Sequence, residues 1–147
     1  MNASGDVPAG ERAVARTSRL TLIGYWDGPD TDHSWPNPET MVDDQWDPFE
    51  RQLVESYLAG GMIVQSFMGL SQCRMCGRDN GALELTDGTY VWPDGLGHYI
   101  SDHGVRLPDR FVDHALRRIE TLEELDVDRD WWRAQRNYAR KHRPERL

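Results

Sequence analysis

The sequence predicts a small α+β domain with a short sheet and several helices. Two runs of alternating apolar residues, 82–86 and 89–92, flank an Asp-Gly pair at 87–88, which is among the strongest short signals for a β-hairpin. Apolar residues also recur at helical spacing in the segments that follow Pro48 and Pro108. A Cys-x-x-Cys turn separates the first of these helical segments from the hairpin.

The composition limits both the size of the core and the class of partner. The chain has 147 residues, and 38% of them are apolar, so one domain with a modest core is expected. Six Trp, five Tyr and three Phe partly compensate for the low apolar fraction, because aromatic side chains bury a large area. The net charge is −8, which argues against a general nucleic-acid coat and against binding to anionic membranes. Neither a membrane span nor an apolar signal segment is evident, so a cytoplasmic protein is expected.

The N-terminal third is predicted to hold a tail, a strand and a long loop. Residues 1–18 lack an apolar period and are predicted to form a disordered tail. Residues 20–26 are predicted to form a strand. Residues 27–47 are rich in Pro and Asp and carry Trp35 and Trp46. Since long loops without a regular period are uncommon in compact domains, we expect the two indoles to pin this loop onto the body of the protein.

A helix is predicted to begin at Pro48. Asp47 can cap it, Pro48 suits the first helical position, and Glu50 completes a box-like arrangement. The Gly-Gly pair at 60–61 ends the helix. A strand is expected next, at 62–68.

The C-terminal part is predicted to be helical. One helix begins near Pro108 and has a break near Thr121, and a further helix opens at Asp128 or Asp130. We expect one α+β domain at 19–126 and a basic C-terminal helix at 127–147.

The two cysteines predict half of a metal site. Cys73 and Cys76 are too few for a secreted disulfide framework. A redox dithiol normally begins a helix, but here Gly77 and further turn residues at 78–81 follow. Since such a turn aims both sulfurs at one point, it favours a tetrahedral Zn²⁺ site over a redox pair or coincidence.

His98 and His103 are the candidates for the other two ligands. The pattern is Cys-x2-Cys-x21-His-x4-His, and its histidine spacing is typical of zinc sites. Five positions on a helix turn through about 500°, so His103 needs a loosened last turn, which a helix end at Gly104 would allow. His114 is an alternative to His103, whereas His33 in the proline-rich loop is not favoured.

The order of knuckle, hairpin and helix resembles a treble-clef or ββα zinc module. Residues 73–103 also carry the pattern Cys-x2-Cys…Asp-Gly-x-Tyr-x-Trp-Pro-x-Gly-Leu-x-His-Tyr-x3-His. This pattern resembles that of a group of small bacterial zinc-finger-like proteins, over about residues 20–116. The resemblance implies a shared zinc-type core and carries no activity with it.

Two classes of function remain open. In the first, a closed Cys2His2 site is structural and the acidic loop, with Trp35 and Trp46, binds a protein partner. In the second, the protein is a zinc-dependent hydrolase or lyase, with water in place of one ligand and Asp94 or Asp102 as base. These acids are better explained as turn residues or as acceptors that orient a ligand imidazole, as is Glu84.

The basic C-terminal segment suggests a third, less favoured function. Residues 129–147 contain seven Lys or Arg and two acids. With Trp131, Trp132 and Tyr138, this segment could contact phosphates and stack on bases. A simpler interpretation is a solvated helix that docks its aromatic side chains. Trp131 and Trp132 are also candidate contacts for a protein partner.

Overall fold

The protein has an α+β architecture, as the sequence predicts. A computed structural model describes residues 19–31 and 33–141. The predicted tail at 1–18 and the last residues of the predicted basic helix, 142–147, lie outside the described residues.

The described residues contain four strands and several helices. The strands are β1 (Thr21–Leu22), β2 (Met62–Ser66), β3 (Leu83–Thr86) and β4 (Tyr90–Pro93). The α-helices are α1 (Pro48–Ala59), α2 (Leu96–His103), α3 (Asp109–Glu123), α4 (Asp130–Ala134) and α5 (Tyr138–Lys141). Short 3₁₀ helices lie at Pro38–Met41 and Gln135–Asn137.

The strands form one sheet in the order β1-β4-β3-β2. β3 and β4 are the predicted hairpin, with Leu85 opposite Trp92. β2 lies antiparallel to β3, and β1 lies parallel to β4. The β3–β4 turn fits the predicted Asp-Gly signal, because Gly88 has a φ of +91°, a backbone conformation that glycine adopts without steric cost.

Helix α1 begins and ends where its sequence predicts, although its cap differs in one detail. The Asp47 carboxylate accepts a hydrogen bond from the Glu50 amide at 3.0 Å. The Glu50 carboxylate accepts from the Trp46 indole at 2.9 Å, so it anchors that ring to the first turn of the helix. Gly60 ends the helix, and its amide donates to the Tyr57 carbonyl at 3.1 Å.

Two predicted strands are shorter than expected. The strand predicted at 20–26 is paired only at Thr21–Leu22, because Gly24 adopts a φ of +80° and turns the chain. A Cβ at Gly24 would lie 2.6 Å from the Leu96 side chain. The strand predicted at 62–68 ends at Ser66.

The loop at 27–47 is fixed to the body near its C-terminal end. Val42 forms an isolated antiparallel bridge with Val105. Arg106 pairs with Asp43 at 3.3 Å and lies over the Trp46 ring, 5.8 Å from its centroid. Trp46 therefore pins the loop as predicted, whereas Trp35 is 41% exposed.

The core lies around Trp92 in the central strand. Trp92 has no exposed surface, and its indole donates to the Leu58 carbonyl at 3.2 Å. The largest fully buried side chains are Trp92, Phe111, Leu96, Ile100, Leu107, Val54, Val105 and Val112. They come from β4, from α1 to α3 and from the connection between α2 and α3, so these three helices share one core with the hairpin.

The chain divides into two compact units, one ending at Leu116 and the other beginning at Arg117. This division lies within α3, earlier than the boundary predicted after residue 126. Helix α3 runs to Glu123 without the predicted break. In the second unit, the predicted last helix consists of α4, a 3₁₀ turn and α5 within the described residues. No helix in the described part of the chain has the length and hydrophobicity that a membrane crossing requires.

Candidate metal centre

The four predicted ligands come together at one point. One candidate ligand atom from each of Cys73, Cys76, His98 and His103 lies within 4.8 Å of all the others. A tetrahedral Zn²⁺ with bonds of about 2.0–2.3 Å holds its ligand atoms roughly 3.3–3.8 Å apart. Small side-chain movements would therefore suffice to close these four residues around a metal ion.

The backbone between the cysteines forms a tight knuckle. The Gly77 amide donates to the Cys73 carbonyl at 2.8 Å, and the Cys73 amide donates to the Arg78 carbonyl at 2.8 Å. Gly77 has a φ of +73°, which a residue with a side chain rarely adopts. The Met75 amide points at the Cys73 sulfur from 3.4 Å, and such a contact stabilises a thiolate. Both cysteines are free thiols.

A short backbone ladder holds the base of the knuckle. The Ser71 amide donates to the Gly81 carbonyl at 2.9 Å, and the Asn80 amide donates to the Ser71 carbonyl at 2.7 Å. Gln72 and Asp79 form an isolated antiparallel bridge between these bonds and the cysteines. The segments before and after the turn that carries the two sulfurs are thus hydrogen-bonded to each other.

Close backbone contact joins the knuckle to the start of α2. The Asn80 side-chain amide donates to the Gly95 carbonyl at 2.9 Å. A Cβ at Gly95 would lie 2.1 Å from the Asn80 carbonyl oxygen. The absence of a side chain at Gly95 therefore sets the distance between the cysteines and the helix that carries the histidines.

We expect Gly95→Ala to lower the free energy of unfolding by roughly 1–3 kcal/mol and to weaken metal binding. Gly95 has a φ of −78°, so alanine fits the backbone conformation and the clash with Asn80 alone causes the loss. Competition with a chelator and denaturant unfolding measure the two effects. Gly97→Ala is the matched control, because a Cβ at Gly97 would have no atom within 4 Å outside its own helix backbone and chain neighbours. Equal behaviour of the two variants would contradict this role of Gly95.

The last turn of α2 brings the two imidazoles together. Gly104 ends the helix with a φ of +68°, and the Val105 amide reaches back to the Tyr99 carbonyl at 3.0 Å. The Gly104 amide donates to the Ile100 carbonyl at 3.2 Å in ordinary α-helical register, so the longer bond from Val105 follows the left-handed glycine ending of a regular helix. The His98 and His103 ring centroids lie 4.9 Å apart with their planes perpendicular. The two rings therefore approach each other from a regular α-helix, without the loosened turn that the sequence predicts before Gly104.

His98 is oriented by a carboxylate on its own helix. Its Nδ1 lies 3.4 Å from Asp102 Oδ2, and its Nε2 lies 3.4 Å from the Cys76 sulfur. A carboxylate on one ring nitrogen commonly orients a histidine that binds metal through the other. The structure thus fits the role of acceptor that the sequence suggests for Asp102.

Two of the four side chains present buried atoms to this site. Cys73 is only 2% exposed, and the His103 Nε2 atom is buried with no hydrogen-bond partner among the described residues. A buried polar nitrogen left unpaired costs free energy. The Tyr99 hydroxyl accepts a hydrogen bond from the Arg74 amide, within the cysteine turn, at 2.8 Å. Burial raises the pKa of Tyr99 to about 12.

The alternative ligand His114 lies in a different cluster. Its Nε2 is 2.8 Å from Asp87 Oδ2, to which the Tyr57 hydroxyl also donates a hydrogen bond. Its ring packs edge-on against Tyr90 at 4.9 Å. His33 contacts Asp27 at 2.9 Å. Neither histidine belongs to the four-residue group.

Asp87 links the hairpin turn to two helices. Burial alone would raise the pKa of Asp87, but hydrogen bonds from Tyr57, from the Tyr90 and Thr89 amides and from His114 outweigh it and lower the pKa to about 2. The Asp87 side chain is 9% exposed. Its ionised form therefore contributes to the stability of the fold.

We expect Asp87→Asn to be less stable than the wild type by roughly 2 kcal/mol at neutral pH, since each pKa unit corresponds to 1.36 kcal/mol. The folded pKa of about 2 lies below the ordinary value of 3.8 for an aspartate. The stabilisation is therefore complete above about pH 4 and is lost as pH falls through about 2. Denaturant unfolding of both zinc-loaded proteins at neutral pH measures the difference. Equal stability of the two proteins at neutral pH would count against this assignment.

The four tryptophans predicted to bind partners differ in exposure. Trp46 is 5% exposed and belongs to the core, so its partner-binding role is corrected to one in packing. Trp35, Trp131 and Trp132 are 41%, 69% and 72% exposed, and their role in binding a partner stays a prediction.

Sequence reasoning misses the Tyr57–Asp87–His114 cluster. The sequence predicts Asp87 only as a turn residue, and Tyr57 only as part of an apolar helix face. The only sequence signal is a histidine three positions after Phe111, beside the apolar face of α3. Glu84, interpreted from the sequence as a turn residue or as an acceptor for a ligand imidazole, accepts a hydrogen bond from the Tyr25 hydroxyl at 2.6 Å.

Comparisons with protein-family models, with curated proteins and with solved structures find no match to this chain. The geometry of the site and the chemistry of its residues are therefore the basis of the functional proposal.

Proposed function

We propose that this chain is a zinc-binding protein whose Cys2His2 site is structural. The observation that carries the proposal is the convergence of Cys73, Cys76, His98 and His103 within 4.8 Å. Two thiolates and two imidazoles fill a tetrahedral zinc ion completely. Such a closed site leaves no position for a reactive water.

The chemistry of the ligand set supports zinc over other metals. Sulfur and imidazole ligands in a four-residue group favour zinc, whereas magnesium and calcium prefer oxygen. A divalent cation would neutralise the thiolate of the buried Cys73 and give His103 Nε2 a partner. Because thiolate ligands persist in a reducing compartment, we place the protein in the cytoplasm.

The position of the site supports a structural role. The cysteines lie before the hairpin and the histidines after it, so a bound ion would close the loop that contains β3 and β4. In small zinc domains the metal contributes an apparent ~10–16 kcal/mol to folding. The order of knuckle, hairpin and helix supports membership of the treble-clef type.

A protein-interaction role completes the proposal. Trp35 is 41% exposed on the acidic loop at 27–47, and a tryptophan at a protein surface often contributes strongly to binding. The ring of Trp35 packs against Tyr25 with centroids 6.3 Å apart, so its position is already defined. A partner with basic side chains around an apolar pocket would complement this surface.

Cobalt substitution tests whether the site is closed. The Co²⁺ protein should show the visible absorption of a four-coordinate site with two sulfur and two nitrogen ligands. The spectrum should not change on addition of azide or between mildly acidic and mildly alkaline pH. His103→Ala should alter the spectrum, and His33→Ala should leave it unchanged as the matched control. A wild-type spectrum that responds to azide would instead indicate an open position, as a hydrolase or lyase requires.

A further inference from the structure

The outer edge of the sheet carries an exposed apolar strand. β2 is the last strand in the sheet order, and within the described residues no strand pairs with its outer edge. All five of its residues are exposed. The apolar side chains about half or more exposed in β2 and the segment after it are Met62, Ile63, Val64, Phe67, Met68 and Leu70.

This edge has only one of the features that commonly prevent pairing with another chain. Natural edge strands are blocked by charged side chains, by proline, by a β-bulge or by a covering segment. The segment from Gly60 to Cys73 contains neither a charged residue nor a proline, although 29% of the residues in the full chain are charged. The single irregularity is a bulge at Val64, between the Ile63–Leu85 and Gln65–Glu84 pairs. The inner ladder is interrupted there, and the outer edge remains uncharged.

We propose that β2 pairs with β2 of a second copy of this chain. The two strands would run antiparallel about a two-fold axis and join both sheets into one. In this arrangement each apolar side chain of β2 meets the same apolar set on the partner copy. The inference is independent of the metal site and identifies an interaction surface other than the acidic loop.

Charge restricts the surfaces through which two copies can meet, and it permits contact along this edge. Each chain carries a net charge of −8, so most orientations of two copies bring like charges together. The run from Gly60 to Cys73 is uncharged, and two copies can meet along it without opposing charges. A basic partner would instead be drawn towards the acidic loop at 27–47.

The available area also agrees with a dimer. At the burial values usual for such side chains, six exposed apolar residues supply roughly 400–700 Å² of apolar surface. A stable interface takes about 800 Å² from each partner. Backbone pairing along the edge, together with polar side chains such as Gln65 and Ser66, would supply the remainder. An apolar patch of this size commonly marks an interaction surface.

Sedimentation velocity of the zinc-loaded full chain tests the proposal. The wild type should be dimeric and should dissociate on roughly hundredfold dilution. Ile63→Lys and Val64→Lys should each raise the dimer dissociation constant at least about tenfold. Leu122→Lys is the matched control, because Leu122 is 61% exposed on α3, away from the edge strand in sequence, and it should leave the dimer unchanged.

Hydrogen exchange of the wild-type protein gives a second readout that does not depend on the folding of a variant. Amides at 62–67 should become more protected as concentration rises, and those at 130–134 should not. A wild-type chain that is monomeric at all concentrations would overturn the proposal. So would a dimer that survives both lysine substitutions, or edge amides protected equally at every concentration, since another segment of the same chain would then cover the strand.

Discussion

Replacing Cys73 with serine is expected to abolish the folding of the first unit of this protein. The substitution removes the buried Cys73 sulfur from the proposed zinc site, so Cys76 and His103 would lose the cation that they are proposed to share. An apparent metal contribution of ~10–16 kcal/mol equals or exceeds the whole stability of a typical domain, about 5–15 kcal/mol. Near-ultraviolet circular dichroism of the buried tryptophans measures the loss of tertiary structure, and the far-ultraviolet spectrum measures the loss of the sheet.

Two controls separate loss of metal from loss of a side chain. His33→Ala removes an imidazole outside the four-residue group and should leave both spectra unchanged. Chelation of zinc from the wild-type protein should reproduce the spectra of Cys73→Ser. A metal-free Cys73→Ser protein with wild-type spectra would show that the ion is dispensable for folding.

Trp92→Ala is expected to lower the free energy of unfolding by about 3–5 kcal/mol. Trp92 has no exposed surface, and the substitution leaves a large cavity between the central strand and the helices that pack on it. It also leaves the Leu58 carbonyl at the end of α1 without its indole donor. Denaturant unfolding of the zinc-loaded protein measures the loss.

Trp132→Ala is the matched control for this substitution, because Trp132 is 72% exposed. Its effect should stay within about 0.5 kcal/mol, as for most surface substitutions. Similar losses for the two variants would mean that the core is not organised around Trp92.

The parts of the fold that the sequence predicts well depend on local chemistry. The Asp-Gly pair specifies the hairpin, and Asp47 and Gly60 specify the ends of α1, because each acts through its own backbone neighbours. The candidate metal ligands are also predictable, since Cys73 and Cys76 share one turn and His98 and His103 share one helix. Only their convergence requires the intervening hairpin to bring the two segments together.

The parts that the sequence does not predict depend on contacts between distant segments. Tyr57 and His114 meet at Asp87 from opposite sides of the hairpin in sequence, and no local pattern marks such a pair. Trp35 and Trp46 occur in the same loop, yet only the second is buried, because Glu50 accepts its indole hydrogen bond and Arg106 covers its ring. The exposure of β2 likewise follows from its place at the end of the sheet.

The metal content of the purified protein tests the proposed centre most directly. Native mass spectrometry of protein prepared under reducing conditions should show a single zinc ion per chain, held by Cys73, Cys76, His98 and His103. The ion should survive extensive dialysis and should be absent from Cys73→Ser and His103→Ala. A wild-type chain that carries no metal, or one in which Cys73 and Cys76 form a disulfide under the same conditions, would contradict the proposed centre.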